Sequence, residues 1–493
     1  MLRDDVYSLV RPAVIDGLAL VQTAMNEKRY ISKYYNLPKL DVFEQSGFPH
    51  FTTRAAEECP FDYKGIFGYG GTFGSIAVGL ISQRIAKDKI NCDDIESWRT
   101  FKAFVLADPT LTEALGLSDI HPAFANDPGW KDWHVRYSSY SVVASLVDRY
   151  IHIAKTTTFN ESFFTPIYLE WETDRFARLL LFDIWIPIIC VRIEPEVIAL
   201  DTGKTVEKMP NGLQLARYAE HGRDITLSTH ETLIGAATHA LVLKHWRVGK
   251  ANRGALTDFG SLFPAHRLIE NFFAAVRCVV DVETGYSQLV VVPTGWGHGW
   301  TAFLPHVYVA STRAYPERLE NFGWLRRPST VDSAQLAEIA TLFKALNALQ
   351  HNSLAIAVRR LNAAQLRKDD ADSILDVTIG LEALLGDKSK TEMTHKLAMR
   401  MAAVSKIEPF AGSTPAQVFK HVKLIYKYRS SVVHGSKPSA NVEHLIGPKG
   451  SQEVPLVELG LKLLRHAIRA LTKHSEFLSP EKLDSYLLSS DAP

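Results

Sequence analysis

The sequence holds few of the features that identify a protein quickly. Among 493 residues there are four cysteines, Cys59, Cys92, Cys190 and Cys278, and no two stand at metal-ligand or redox spacing. Their scatter argues against a disulfide scaffold and a cysteine-held zinc site, and for a reducing compartment. No long hydrophobic run is present: the most apolar stretch, Leu179 to Val191, is broken by Asp183 and Pro187 and is too short to span a bilayer. The opening MLRDDVYSLVRPAVIDGLALV is interrupted by Asp4, Asp5 and Asp16, so it lacks the continuous core of a secretory signal. A cytoplasmic protein with no membrane partner is expected. Net charge is only +1, so a basic surface for an anionic partner must be local. What is present is ordinary globular composition, 46% hydrophobic and 22% charged, on a chain long enough for two or three domains.

The pattern along the chain divides it into three. Residues 1–160 read as mainly helical, with AVGLISQRIAKDK and SVVASLVDRYIHIAK as amphipathic helices between aromatic and Pro-rich loops. Residues 161–325 read as a mixed α/β region. There FFTPIYLEWE, IPIICVRIEPEVIAL and YSQLVVVPTG have strand composition, while THETLIGAATHALVLKHW and AHRLIENFFAAVRCVV look helical. NFGWLRRPSTVD, residues 321–332, reads as a connector, with Asp332 or Ser333 able to cap the next helix. From 333 to 478 the strand signal disappears. Helices are expected over 333–366, 370–386, 391–406, 415–434 and 454–475, with a loop at 435–453. The expected fold class is α+β: a mixed α/β N-terminal region followed by an all-α bundle. There is no internal repeat and no low-complexity tract.

Several attractive motifs fail on inspection. GYGGTFGS (68–75) lacks the Lys-Ser/Thr of a phosphate loop, and its glycines miss dinucleotide spacing, so a tight turn is expected. Asp201-Thr202-Gly203 sits between strand-like runs and reads as a hairpin turn. GWGHGW (295–300) alternates Trp296, His298 and Trp300 among glycines. It could line a ligand pocket, but a bent loop with its tryptophans in the core is favoured. The remaining histidines have no zinc spacing, so neither metal nor cofactor is expected.

The pairing of arginine with a histidine across four to six intervening residues is cheap, and roughly three matches should arise by chance. Arg223/His230, Arg429/His434 and Arg469/His474 are the matches. The second is set apart by its surroundings. Between Glu408 and Glu443 there is no acidic residue, where roughly four would be expected from composition. The stretch carries Lys420, Lys423, Lys427, Arg429 and Lys437 instead, a local surface suited to a phosphate backbone. At 100° per residue, Phe419, Val422, Tyr426 and Val433 form an apolar stripe flanked by Val418, Ile425 and Val432, with Arg429 inside it. Lys420, Lys423 and Lys427 face the other way, and His434 falls among them, about 140° from Arg429 on an ideal helix. An inward arginine needs a partner. Glu382, on an apolar flank of its own helical segment, is one candidate, and a second copy of the chain is another. Gly435 is a natural helix stop. A histidine just before it suits general acid–base cleavage of RNA, with the 2′-hydroxyl as nucleophile and arginine stabilising the phosphorane charge.

Taken together, SILDVTIGLEALLGDKSKTEMTHKLAMRMAAVSK and VFKHVKLIYKYRSSVVHGSK resemble the Apea-like HEPN family. The matching positions are the "LEALL" core at Leu381 to Leu385, the Glu-x2-His/Lys-Lys-Leu-Ala-x-Arg-x-Ala run at Glu392 to Ala402, and Tyr-x2-Arg-Ser-x2-Val-His-Gly at Tyr426 to Gly435. Ala357-Val358-Arg359-Arg360 fits the family's first helix. The resemblance covers 333–478 and implies an all-α HEPN bundle, usually a homodimer, with metal-independent endoribonuclease activity of the kind found in toxins and anti-phage abortive-infection proteins. It implies Arg429 and His434 as the catalytic pair and Glu382 as a helper. Lys420, Lys423, Lys427, Ser430 and Lys437 are the expected RNA contacts, with tRNA among the candidate substrates. Ser430 stands where many members carry Asn, Asp or His. By analogy the N-terminal region would sense a phage-derived trigger or restrain the nuclease. Two competing readings are a non-catalytic nucleic-acid-binding or dimerisation module, and an N-terminal enzyme built around GWGHGW.

Overall fold

The structure is a computed structural model that describes residues 3–27, 38–53, 67–68, 90–117, 128–221, 230–257, 263–301, 303–387, 392–410, 412–435, 441–445 and 451–489. The N-terminal region contains α1 (Asp4–Asn26), a hairpin of β1 (Pro38–Val42) and β2 (Pro49–Thr53), and a short parallel pair of β3 (Phe67–Gly68) and β4 (Ile90–Asn91). Then come α2 (Glu96–Ala107), α3 (Pro109–Ala114), α4 (Pro128–Ala154) and α5 (Glu161–Phe176). Val6, Val10, Val14, Leu18 and Val21 recur on one side of α1, and all are buried. They share an apolar core with Trp98 and Phe101 of α2 and Tyr140, Val143 and Val147 of α4. The Trp98 indole donates to the Ala13 carbonyl at 2.8 Å, so even the polar edge of that large ring is satisfied.

The middle region supplies β5 (Leu179–Ile189), β6 (Val191–Ile193), β7 (Val197–Asp201), β8 (Lys204–Lys208), α6 (Asn211–His221), α7 (Glu231–Gly235), β9 (Ala237–Gly249), α8 (Phe263–Val279), β10 (Tyr286–Pro293) and β11 (Tyr308–Ala314). Six of these strands form an antiparallel sheet in the order β11-β10-β5-β9-β8-β7. Asp201-Thr202-Gly203 is the turn between β7 and β8, with Gly203 at φ +66°. The registers Ile184↔Leu243 and Trp185↔Val290 fix which side chains share a face. Leu180, Phe182, Ile184, Leu243, Leu289 and Val291 pack into one core with Phe272, Phe273 and Val276 of α8.

The connector is itself folded. Trp324 is buried, and β12 (Ser329–Val331) pairs in parallel with β6. Asp332 then opens α9 (Ser333–Ala348) with a capping box, its carboxylate accepting from the Gln335 amide. Next come α10 (Asn352–Leu366), α11 (Asp370–Leu385), α12 (Met393–Ile407), α13 (Pro415–Val433), β13 (Asn441–Leu445), β14 (Ser451–Pro455), α14 (Leu456–Lys473) and α15 (Pro480–Leu488). The apolar core of the sheet and α8 continues without a break through these helices as far as Leu483. The fold is α+β, as the sequence pattern indicates. Among the described residues, no helix is long and apolar enough to cross a membrane.

Five sequence expectations need correction. FFTPIYLEWE is helical, within α5: Asn160 caps it, and Phe164, Ile167, Tyr168 and Trp171 are buried at helical spacing. Aromatic richness there reflects burial and not strand formation. THETLIGAATHALVLKHW splits into the short α7 and β9; that strand is central in the sheet, and its first half, 237–243, is almost wholly buried, so it shows no alternation there. The single helix expected at 333–366 is α9 and α10, separated at 349–351. The 435–453 loop contains the antiparallel pair β13–β14. The apolar stripe of the basic helix also stops short: Val433 is 52% exposed. The helix expected in AVGLISQRIAKDK, and GYGGTFGS beyond Gly68, lie outside the described residues.

Candidate functional site

Helix α13 begins at a second capping box, Thr414 with Gln417, and carries Pro415 in its first turn, where a missing N–H costs nothing. Val418, His421, Val422, Ile425 and Tyr426 are buried against the bundle. Lys420, Lys423 and Lys427 are exposed, as the angular pattern requires. The Lys423 ammonium lies 5.4 Å from the Phe419 ring centroid. The last turn runs beyond the core. His434 occupies the C-cap, its N–H donating to the Ser430 carbonyl at 3.0 Å, and both side chains are exposed. Gly435 follows at φ +70°, the left-handed conformation that ends a helix. Lys437 lies outside the described residues.

Arg429 is half-buried, and its Nε is shielded from solvent without a hydrogen-bond partner. Among the described residues its guanidinium forms no ion pair, so the expected Arg429–Glu382 bridge is not made. The half-buried Glu382, on α11, accepts instead from the Tyr426 hydroxyl at 3.1 Å. That hydroxyl lies 3.4 Å from the Thr378 carbonyl. Burial foremost, with the Glu382 carboxylate next, drives the Tyr426 phenol far above its usual pKa, which keeps it a donor. Tyr426 is therefore the residue that ties Glu382 to the site helix. The sequence places it in the stripe but does not reveal this contact. The arrangement is a half-buried cation with no ion pair among the described residues, on the same helix end as an exposed imidazole and a lysine face.

The other arginine–histidine pairs are otherwise engaged. Arg469 bonds Glu338, and His474 lies 3.4 Å from Glu408. His230 caps α7, accepting from the Thr232 amide, while Arg223 lies outside the described residues. Arg400, within the Glu392–Ala402 motif, is a clamp: it donates to the Leu385 carbonyl (2.8 Å), to Asp387 (2.9 Å) and through two nitrogens to Asp484 (2.8 and 2.7 Å). It joins α11, α12 and α15 behind the site.

GWGHGW is a bent loop with Gly295 and Gly299 at positive φ and with Trp296 and Trp300 in two different apolar cores. His298 does more than the tryptophans. Its Nδ1 lies 3.2 Å from Asp174 Oδ2, and Asp174 is fully buried, with Arg253 at 2.6 Å and Arg175 at 3.5 Å. Burial raises the Asp174 pKa, but His298 and the two arginines outweigh it and hold the carboxyl at about 2. The His306 ring lies 5.1 Å from that of His298, tilted by 31°, and burial chiefly pushes its pKa down to about 3. Only His298 of this cluster has a sequence signal.

Comparison with protein-family models, curated proteins and solved structures finds no match.

Proposed function

We propose that the protein is a HEPN-type, metal-independent endoribonuclease that acts in the cytoplasm as an effector of anti-phage abortive infection, and that its N-terminal region senses a phage-derived trigger. The observation that carries the reading is Arg429: half-buried with its Nε shielded, in no ion pair among the described residues, and five residues before the exposed His434 on a lysine-bearing helix without acidic residues. A cation in that state is poised for an external anion, because the cost of shielding it is recovered when a phosphate arrives. In a homodimer, the half-buried Arg429 and exposed Val433 of each copy would meet, and two Arg429/His434 pairs would face one RNA strand.

In this reaction one His434 takes the proton of the ribose 2′-hydroxyl. The oxygen attacks the adjacent phosphorus, the P–O5′ bond breaks, and a proton is delivered to the departing O5′. Arg429 stabilises the charge on the phosphorane oxygens. Lys420, Lys423, Lys427 and Ser430 hold the strand, and Glu382 acts through Tyr426 to position α13. The products are a 2′,3′-cyclic phosphate and a 5′-hydroxyl.

The test is cleavage of end-labelled tRNA and total RNA by the full chain in chelator, comparing wild type with His434→Ala. Wild type should release 2′,3′-cyclic phosphate ends, and the variant should lose at least about a hundredfold in rate. Ends carrying a 3′-hydroxyl refute the mechanism. A His434→Ala protein that binds RNA and protects cells as well as wild type selects the alternative, a non-catalytic RNA-binding and dimerisation module, which the exposed lysine face would equally serve.

A further inference from the structure

A cavity of about 780 Å³ opens between the end of α8, the outer side of α9, the segment Glu408–Phe410 after α12, and α14. It lies at the seam where the sheet region meets the helical bundle, away from α13. Its size falls in the range that encloses a small organic ligand. Val279, Leu342, Ala345 and Ala470 give it apolar walls, and Phe410 meets His466 edge-on with ring centroids 5.2 Å apart.

Two polar atoms in these walls have no hydrogen-bond partner among the described residues. Thr472 is buried, and its Oγ1 has no hydrogen bond; His466 Nε2 is equally shielded and unbonded. Burial lowers the His466 pKa, so the ring is neutral and can accept or donate one hydrogen bond. An unpartnered buried polar atom is unfavourable, and a ligand heteroatom that bonds it removes the penalty. The rim carries paired charges, with Glu338 and Glu408 beside Arg465, Arg469 and Lys473. Arg465 lies 2.7 Å from Asp281, Lys473 lies 2.8 Å from Glu408, and Arg469 bonds Glu338. The Arg469 and Lys473 pairs are largely exposed, where such contacts contribute little and exchange readily for a ligand anion.

Apolar walls with an aromatic edge suit a planar ring; the two unbonded polar atoms suit ring nitrogens or a carbonyl; the rim suits phosphate. We propose that this cavity is a binding site for a phosphorylated planar heterocycle, that is, a small nucleotide. The proposal does not depend on the nuclease reading, because its readout is binding.

The experiment is isothermal titration of the full chain with AMP and ADP, and with inorganic phosphate and decanoate as separate arms. Ala345→Trp fills the cavity from the exposed side of α9, and the double variant Arg469→Ala, Lys473→Ala removes the rim charges at exposed positions. A nucleotide should bind at one site per chain, more tightly than inorganic phosphate. Ala345→Trp should abolish binding, and the double variant should weaken it about tenfold or more. Far-UV circular dichroism and thermal melts establish that each variant is folded; the double variant decides the matter if Ala345→Trp is not. No nucleotide binding at millimolar concentration, decanoate binding as tightly as nucleotide, or affinity unchanged in a folded variant each overturns the proposal.

Discussion

Arg400 offers a sharp test of how the bundle is held. Its side chain is 4% exposed and donates to four oxygens on two segments: the Leu385 carbonyl and Asp387 at the end of α11, and both oxygens of Asp484 on α15. Arg400→Met preserves length and apolar volume but removes every donor. The Leu385 carbonyl then loses its side-chain donor, Asp387 loses one donor but keeps Lys396 at 3.2 Å, and Asp484 returns largely to water because it is 46% exposed. Breaking a buried pair costs about 3–5 kcal/mol, and the exposure of Asp484 puts this case near the lower end, about 3 kcal/mol. That corresponds to a fall in Tm of about 5–10 °C for a unit of this size. The Asp484→Asn change alone should cost about 1 kcal/mol, and the two changes should couple by about 1 kcal/mol or more in a double-mutant cycle. Hydrogen exchange should locate the loss: residues 480–488 should exchange faster in Arg400→Met, while α1 and α4 keep their protection. A cost below about 0.5 kcal/mol, or strict additivity with Asp484→Asn, would refute the clamp.

Acid should destabilise the protein through the Asp174–His306 cluster. His306 is held at about 3 in the folded protein, whereas an unfolded histidine titrates near 6.5, so below that pH the unfolded chain gains a proton that the folded one refuses. The associated stability is complete above about pH 6.5 and is lost as pH falls toward 3, and Asp174, depressed to about 2, adds a loss of the same sign below its usual value. Urea midpoints from pH 7 to 4 should show His306→Asn flattening the slope by about 2 kcal/mol, discounted because the ring is only half-buried; an unchanged slope counts against it. Asp332→Ala removes one half of a capping box and should cost about 1 kcal/mol, read as a thermal shift that Asp332→Ser largely restores.

Local pattern carried α13 well. Val418, Val422, Ile425 and Tyr426 return every three to four residues, Lys420, Lys423 and Lys427 fall opposite, and Gly435 marks the stop. The same reasoning narrowed the cap to Asp332 or Ser333, of which Asp332 serves, and located the turn at Asp201-Thr202-Gly203. It failed where tertiary burial overrides composition: the aromatic α5 looked like a strand, and β9, buried through its first half, looked like a helix. No breaker residue announces the bend at 349–351. At the candidate site, the exposure of the lysines and of His434 was legible, but the partner of Glu382 was not. Tyr426 and Glu382 are 44 residues apart, and Arg400 and Asp484 are 84 apart. Such pairings are set by how helices pack, which periodicity within one helix does not encode.

The unbroken apolar core from the sheet into the helices has a mechanical consequence. A fragment beginning near Ser333 would lay bare the sides of α9 and α14 that face α8, so it should aggregate where the full chain does not. Close-packed interiors transmit small displacements instead of absorbing them. A shift imposed on the sheet would therefore reach the helices directly, through touching side chains, with no slack hinge to dissipate it.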